Sequence, residues 1–379
     1  MKRIITCFIV FTIAFQLQAQ ISAKLMKSMD VSDSQITFVY GGDIWLVSKD
    51  GGQALQLTNS PGEESWPRFS PDGTEIAFSA SYQGNVDVFV IPSTGGIPTR
   101  VTYGSHSDRM VDWHPDGEQL LFASRREIGQ RSTNQLFLVG KGGGLPKRLA
   151  VPYGELASFS TDGNKLAYIT KITENYPFKR YRGGLASDII IFDLVNNSAE
   201  NITNNHANDG KPAWAGDKIY FLSDQAEDMR LNIWEYDTKT KNSRQITKFE
   251  DFDISYMSAG PSDIVFEAGG VMYLMNLSTL NYKAVSIHVI SDLSNEMEKR
   301  VDVSQRISNM TASPGAKRII FEARGELFDV PVKEGYSINM TKSSGAFDRN
   351  PSWSPDGKTI AFWSDKSGEN EIYFYDVAA

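Results

Sequence analysis

Ser70-Pro71-Asp72-Gly73 decides the fold of this chain. It is followed by the apolar run Ile76-Ala77-Phe78, then Asp87-Val88-Phe89-Val90, the pair Gly95-Gly96 and Val101-Thr102. Proline presets φ for the first turn position, aspartate bonds its own backbone, and glycine takes the position with φ > 0. The tetrapeptide therefore reads as a tight turn between two antiparallel strands. The alternating and β-branched segments after it read as further strands of the same small sheet.

Working outward, related turns occur at Ser32-Asp33-Ser34, Pro115-Asp116-Gly117, Thr161-Asp162-Gly163 and Ala215-Gly216-Asp217. They continue at Pro261-Ser262-Asp263, Pro314-Gly315-Ala316 and Pro355-Asp356-Gly357. A repeat of about 40–50 residues built from short strands is the signature of a β-propeller, one unit per blade. Five units close on an apolar residue followed by threonine: Leu57-Thr58, Val101-Thr102, Ile202-Thr203, Ile246-Thr247 and Met340-Thr341. Trp66, Trp113, Trp214 and Trp353 are expected to fill the space between neighbouring blades.

The rhythm is interrupted twice, by Thr173–Gly184 in the fourth unit and by a polar stretch ending in Glu298-Lys299-Arg300. The second interruption predicts a domain boundary. The expected organisation is all-β, with a six-bladed propeller over 22–290 and a linker over 291–303. The first blades of a second propeller, expected to be seven-bladed and truncated here, then occupy 304–379. Residues 22–30 are read as the first strand of blade one. A single eight-bladed ring is the competing arrangement; it fits less well because the linker breaks the rhythm after the sixth unit. The eighth unit has three strands, so the chain is expected to be part of a longer one.

Residues 1–19 read as a secretory signal peptide: Lys2-Arg3, an apolar run from Ile4 to Phe15, and a small-residue site at Leu17-Gln18-Ala19. The apolar run is shorter than the ~20 residues a membrane span needs. A periplasmic or secreted protein with no membrane span after cleavage is expected. The single cysteine, Cys7, lies in this leader, which leaves no disulfide, thiol nucleophile or cysteine-bound metal. The net charge of −8 and the lack of a basic stripe argue against a nucleic-acid partner. No cofactor or metal site is expected: His106, His114, His206 and His288 have no ligand spacing.

Several stretches together resemble the tricorn protease family, over nearly the whole chain after the leader. They are Val39-Tyr40-Gly41-Gly42-Asp43-Ile44-Trp45, Lys179-Arg180-Tyr181-Arg182-Gly183-Gly184 before Asp188-Ile189, and Phe321-Glu322-Ala323-Arg324-Gly325-Glu326-Leu327-Phe328. Arg349-Asn350-Pro351-Ser352-Trp353 leading into the last Ser-Pro-Asp-Gly turn completes the set. The resemblance implies the non-catalytic propeller half of a serine peptidase, which gates and positions short peptides. Their hydrolysis would fall to C-terminal PDZ and peptidase domains absent from this chain, in a homo-oligomer when complete. It also implies basic residues that hold the peptide's free C-terminal carboxylate, a task suited to the guanidinium fork. The matching region offers Arg131 first, then Arg126 and Arg125. Lys179, Arg180 and Arg182 form a second basic cluster, suited to a channel wall or to packing. The family's arginine pair is displaced here, since Ser132 follows Arg131.

No Gly-x-Ser-x-Gly elbow occurs, and the neighbours Ser105-His106 cannot form a triad, which needs spatial rather than sequential contact. The alternative function is a stand-alone TolB-like periplasmic propeller that binds protein partners. A third is the propeller of a prolyl-oligopeptidase-like hydrolase.

Overall fold

The computed structural model describes residues 21–24, 26–127, 133–172, 179–290 and 300–377. The expected signal peptide, Arg131, residues 173–178 of the Thr173–Gly184 insertion and 291–299 of the expected linker lie outside these residues.

The turn chemistry is visible atom by atom. Asp72 Oδ1 accepts from Ser70 Oγ at 2.6 Å and from the Thr74 N–H at 3.1 Å, while Ser70 Oγ accepts from the Glu75 N–H at 2.9 Å. Gly73 sits at φ 71°, where a side chain would be strained. Ser160–Asp162 and Ser354–Asp356 repeat the 2.6 Å hydroxyl–carboxylate bond. The hydroxyl of Ser70 and that of Ser160 hold the Asp72 and Asp162 carboxyls down at about 2. These aspartates brace turns.

Each turn joins the first two strands of an antiparallel sheet. In the second sheet these are Glu64–Phe69 and Glu75–Ala80, followed by Asp87–Pro92 and Thr99–Arg100. The closing threonine latches this sheet from within. Thr58, Thr102, Thr203, Thr247 and Thr341 each accept, through Oγ1, the N–H that opens the third strand. The donors are Ile44 at 2.8 Å, Val88 at 2.9 Å, Ile189 at 2.8 Å, Ile233 at 2.9 Å and Leu327 at 3.2 Å. The first four threonines are buried, so losing the hydroxyl would strand a buried donor. That is the physical basis of the apolar-Thr signature.

The chain divides into two compact units, 1–292 and 293–379. In the first, six consecutive sheets place their first strands around one axial cavity. These strands are Lys27–Val31, Glu64–Phe69, Asp108–Trp113, Leu156–Phe159, Asp209–Ala215 and Ile254–Ala259. Phenylalanines on the second strands, among them Phe38, Phe78, Phe122, Phe221 and Phe266, are fully buried between sheets.

The seam between the sixth and first blades differs from the expectation for residues 22–30. Only Lys27–Val31 forms the inner strand of blade one. Ile21–Ser22 pairs instead with Ile287–Val289, which runs parallel to Gly52–Gln56 at the outer edge of that blade. Ile287 and Val289 are buried there, so the end of the sixth repeat clasps the first blade and pairs the edge at Gly52–Gln56.

The second unit contains a four-stranded sheet opening with Ile307–Ala312 and a three-stranded sheet opening with Arg349–Trp353. Ile320, Leu327, Ile360 and Phe362 pack between them. The architecture is all-β: a six-bladed propeller followed by two further blade units.

Candidate functional site

The axial cavity of the first unit has a volume of about 360 Å³ and is lined by residues from all six inner strands. Five of these strands carry a register shift, between Lys27 and Asp30, Ser65 and Arg68, Met110 and Asp112, Gly210 and Ala213, and Ile254 and Tyr256. A bulge re-aims the side chains that follow it. Two bulge residues adopt left-handed backbone despite bulky side chains, Trp66 at φ 56° and Lys211 at φ 50°. Such conformations cost on the order of 1–3 kcal/mol each and persist where the surroundings over-determine them.

Both side chains meet at the axis. The Lys211 ammonium lies 5.0 Å from the Tyr256 ring centre and 5.9 Å from that of Trp66. The Arg109 guanidinium stands 5.5 Å from the Trp66 ring and bonds Glu155 at 2.6 Å. Cation–π contacts of this kind strengthen as water is excluded. Trp66 thus lines the cavity, whereas the sequence assigns it to a gap between blades. Trp113 is a buried inter-blade ring whose Nε1 donates to the Arg68 carbonyl at 2.9 Å.

Arg68 ties four blades together. Its Nε donates to the Val111 carbonyl at 3.0 Å, and its Nη1 donates to Ser258 Oγ at 3.2 Å and to the Met29 carbonyl at 3.5 Å. Asp30 lies 3.8 Å from the same guanidinium and accepts from Ser258 Oγ at 2.6 Å and the Phe69 N–H at 2.8 Å. Asp112 Oδ2 accepts from the Phe159 N–H at 3.2 Å. Burial pushes the Asp30 carboxyl up against the pull of Arg68 and pushes Asp112 up to about 6. Burial likewise raises Asp209, at the start of the fifth inner strand, to about 7.

A carboxyl raised in the folded state binds its proton more tightly there than in the unfolded chain. Its contribution to stability is complete below the unfolded value near 3.8 and is lost as pH rises through about 6 for Asp112. The melting temperature is therefore expected to lose this contribution between about pH 4 and 6.5, and Asp112→Asn to flatten that slope. An unchanged slope in thermal melts across this range would remove Asp112 as its source.

The basic residues singled out in the sequence are distributed as follows. Arg126 is held by an ion pair with buried Asp108, and its guanidinium lies 4.8 Å from the Phe122 ring centre. Arg125 is exposed beside it. Glu127 pairs with Arg148 at 3.0 Å. Arg182 is held bidentately by Asp224, with both bonds at 2.9 Å. Lys179 and Arg180 approach a different carboxylate, Asp253, at 3.0 and 3.7 Å. Both groups of cations sit on loops leading out of second strands. In an up-and-down sheet those loops share a face with the starts of the inner strands, so both border the same mouth of the axial cavity.

Ser105 Oγ and His106 Nδ1 lie 3.4 Å apart on an exposed loop, an arrangement that leaves the pair in solvent. Among the described residues, no three His, Cys, Asp or Glu side chains gather in a metal-binding arrangement. Among the same residues, no helix is long and apolar enough to cross a membrane.

Six four-strand repeats around a charged, aromatic axial cavity define a six-bladed β-propeller. Residues 23–281 match the Tricorn protease N-terminal beta propeller domain, and the chain belongs to that family. It is 25% identical over 337 residues to a "Tricorn protease homolog" from Saccharolobus solfataricus, covering 87% of this chain and 31% of the relative. A "Putative Tricorn-like protease N-terminal subunit" from Sulfurisphaera tokodaii is 24% identical over 168 residues, 43% of this chain and 83% of that protein. The fold is similar to the crystal structure of the tricorn protease, with a TM-score of 0.73 and 22% identity over 94% of this chain and 35% of that one. The chain thus spans about a third of the length of the full tricorn relatives.

Proposed function

We propose that this chain is the access and positioning module of a tricorn-type serine peptidase. It admits unfolded peptide at the propeller axis and holds its free C-terminal carboxylate. The hydrolytic step is assigned to the part of the relatives that this chain does not match. The observation that carries this reading is the axial cavity itself. At about 360 Å³ it falls in the range of roughly 300–1,000 Å³ typical of small-ligand sites. Such a space takes a few residues of extended peptide and excludes a folded protein. The name "N-terminal subunit" given to the Sulfurisphaera protein supports a peptidase partner supplied either in the same chain or by a separate one.

Arg131, Arg126 and Arg125 on blade three and Lys179, Arg180 and Arg182 on the fourth-unit insertion are the candidate anchors for the carboxylate. Homo-oligomerisation, as the family resemblance implies, would complete the enzyme. Export to the periplasm or medium is proposed on the positive start and short apolar run of residues 1–19.

The purified chain is expected to give no turnover of a fluorogenic tripeptide above buffer. Sustained release of the fluorophore, lost with the protein on immunodepletion, would place a peptidase centre within these residues and overturn the division of labour.

A further inference from the structure

In each of the six blades of the first unit, the second strand places an aliphatic and an aromatic residue on one face, two positions apart. Both are buried in every case, as Ile76 with Phe78 and Leu120 with Phe122 illustrate. Ile360 and Phe362 repeat the pair in the eighth sheet, which opens with Arg349–Trp353, and are buried as well. Ile319 and Phe321 hold the same place in the seventh sheet, which opens with Ile307–Ala312, yet they are half-buried. Val330 and Phe328 lie opposite them on one neighbouring strand, and Met310 lies opposite Phe321 on the other. Residues directly opposite in a ladder share a face. These five side chains therefore form one apolar surface, with Met310 66% exposed.

A second such surface lies on the eighth sheet. The face turned to the seventh sheet packs through Ile360 and Phe362 against Ile320 and Leu327. On the face turned away, Trp363 lies opposite Ile372 and Ala361 opposite Phe374. Ile372 and Phe374 are 54% and 73% exposed. Contiguous apolar surface of this kind marks an interaction site.

The first unit shows what covers these surfaces. Between its second and third blades, Ala77, Val88 and Val90 pack with Met110, Leu120 and Phe122. Counted from the preceding turn, Ala361 stands in the eighth sheet where Ala77 stands in the second, and Phe374 lies opposite it as Val90 lies opposite Ala77. Met310, Ile319 and Phe321 stand in the seventh sheet where Met110, Leu120 and Phe122 stand in the third, with the methionine opposite the phenylalanine in both. One chain thus carries both halves of a blade-to-blade contact, on faces of a two-sheet stack that point away from each other.

We infer that a second copy of this chain supplies the missing contact, the outer face of the eighth sheet of one copy seating on the outer face of the seventh sheet of the next. The contact is heterologous, head to tail, and the rotation between neighbouring blades favours a closed ring over a filament. With two sheets from each copy, roughly three or four copies complete a ring of the usual blade number. The contact belongs to the second unit, so the inference is independent of the peptide-positioning reading.

The test is sedimentation velocity on the whole purified chain and on two variants, Met310→Glu and Phe374→Glu, both at exposed positions. Wild type is expected to sediment as a discrete oligomer that dissociates on dilution. Each variant alone is expected to be a monomer with the circular dichroism of wild type, because every contact would bury an unpaired carboxylate. An equimolar mixture of the two variants is expected to form a one-to-one dimer and nothing larger. Each variant keeps the face that the other has lost, so a single contact remains possible. A monomeric wild type would overturn the inference and leave both surfaces to a different polypeptide. Oligomers persisting in either variant alone would place the contact elsewhere, and a mixture that stays monomeric would show that it is not head to tail; either result overturns the inference.

Discussion

Arg68→Ala is expected to destabilise the first propeller by about 3–5 kcal/mol, the usual cost of removing one partner from a buried ion pair. The side chain is only 13% exposed, and its partners come from four inner strands: Met29 and Asp30, its own strand, Val111, and Ser258. Its removal leaves Asp30 facing a cavity without its counter-charge and frees the Val111 and Met29 carbonyls. Asp30, Asp112 and Tyr256 around the guanidinium keep it charged despite burial, which on its own would lower its pKa. Replacing both partners, as in Arg68→Met with Asp30→Leu, is expected to cost less than Arg68→Ala alone, because Asp30 is no longer left as a buried carboxyl without its counter-charge. Urea melts followed by circular dichroism would show this order. A loss below about 1 kcal/mol for Arg68→Ala would mean that water replaces the guanidinium freely and the axis is wet throughout.

Gly260→Ala is expected to cost about 3 kcal/mol, at the upper end for overpacking. A Cβ there would lie 2.1 Å from the Val31 carbonyl oxygen and 2.9 Å from Val31 Cγ1. Gly260 belongs to the turn of blade six and Val31 to the inner strand of blade one, so the clash falls on the seam of the ring. The obstructing atom is backbone, fixed by the neighbouring turn in which the Ser32 N–H bonds the Gln35 carbonyl at 2.9 Å, and it cannot rotate aside. Gly142→Ala is the matched control, since a Cβ there meets nothing within 4 Å and its φ is not left-handed. Equal melting temperatures for the two variants would show that the sixth and first blades do not meet closely in solution.

These positions also show how far the sequence could be read. The Ser-Pro-Asp-Gly turns and the closing threonines were legible because each is a local device, with partners from two to fourteen residues away. Repetition then multiplied a weak local signal into a fold. The axis was not legible. Trp66 and Lys211 reach it through bulges with left-handed backbone at residues that ordinarily avoid it. No residue type announces such a bulge. Arg68 meets Ser258 across 190 positions of sequence, a contact that exists only once the ring closes. The clasp at Ile287–Val289 was hidden for the same reason, since three residues at the end of the sixth repeat resemble any blade edge until their parallel partner is known.

The basic residues illustrate an intermediate case. Their type and clustering were readable, but their electrostatic partners were not. Arg126 and Arg182 are each committed to a buried aspartate, Asp108 and Asp224. Lys179, Arg180 and Arg230 share Asp253, and all three reach it across more than twenty positions of sequence.

The central claim is that this chain binds peptides by their free C-terminus without cutting them. The most direct measurement is isothermal titration of the purified chain with one tripeptide as acid and as amide, with the recovered peptide weighed by mass spectrometry. Saturable binding of the acid, at least about tenfold weaker binding of the amide, and intact peptide afterwards are the predicted result. Equal binding of the two forms, no binding of either, or recovery of cleaved fragments would contradict it.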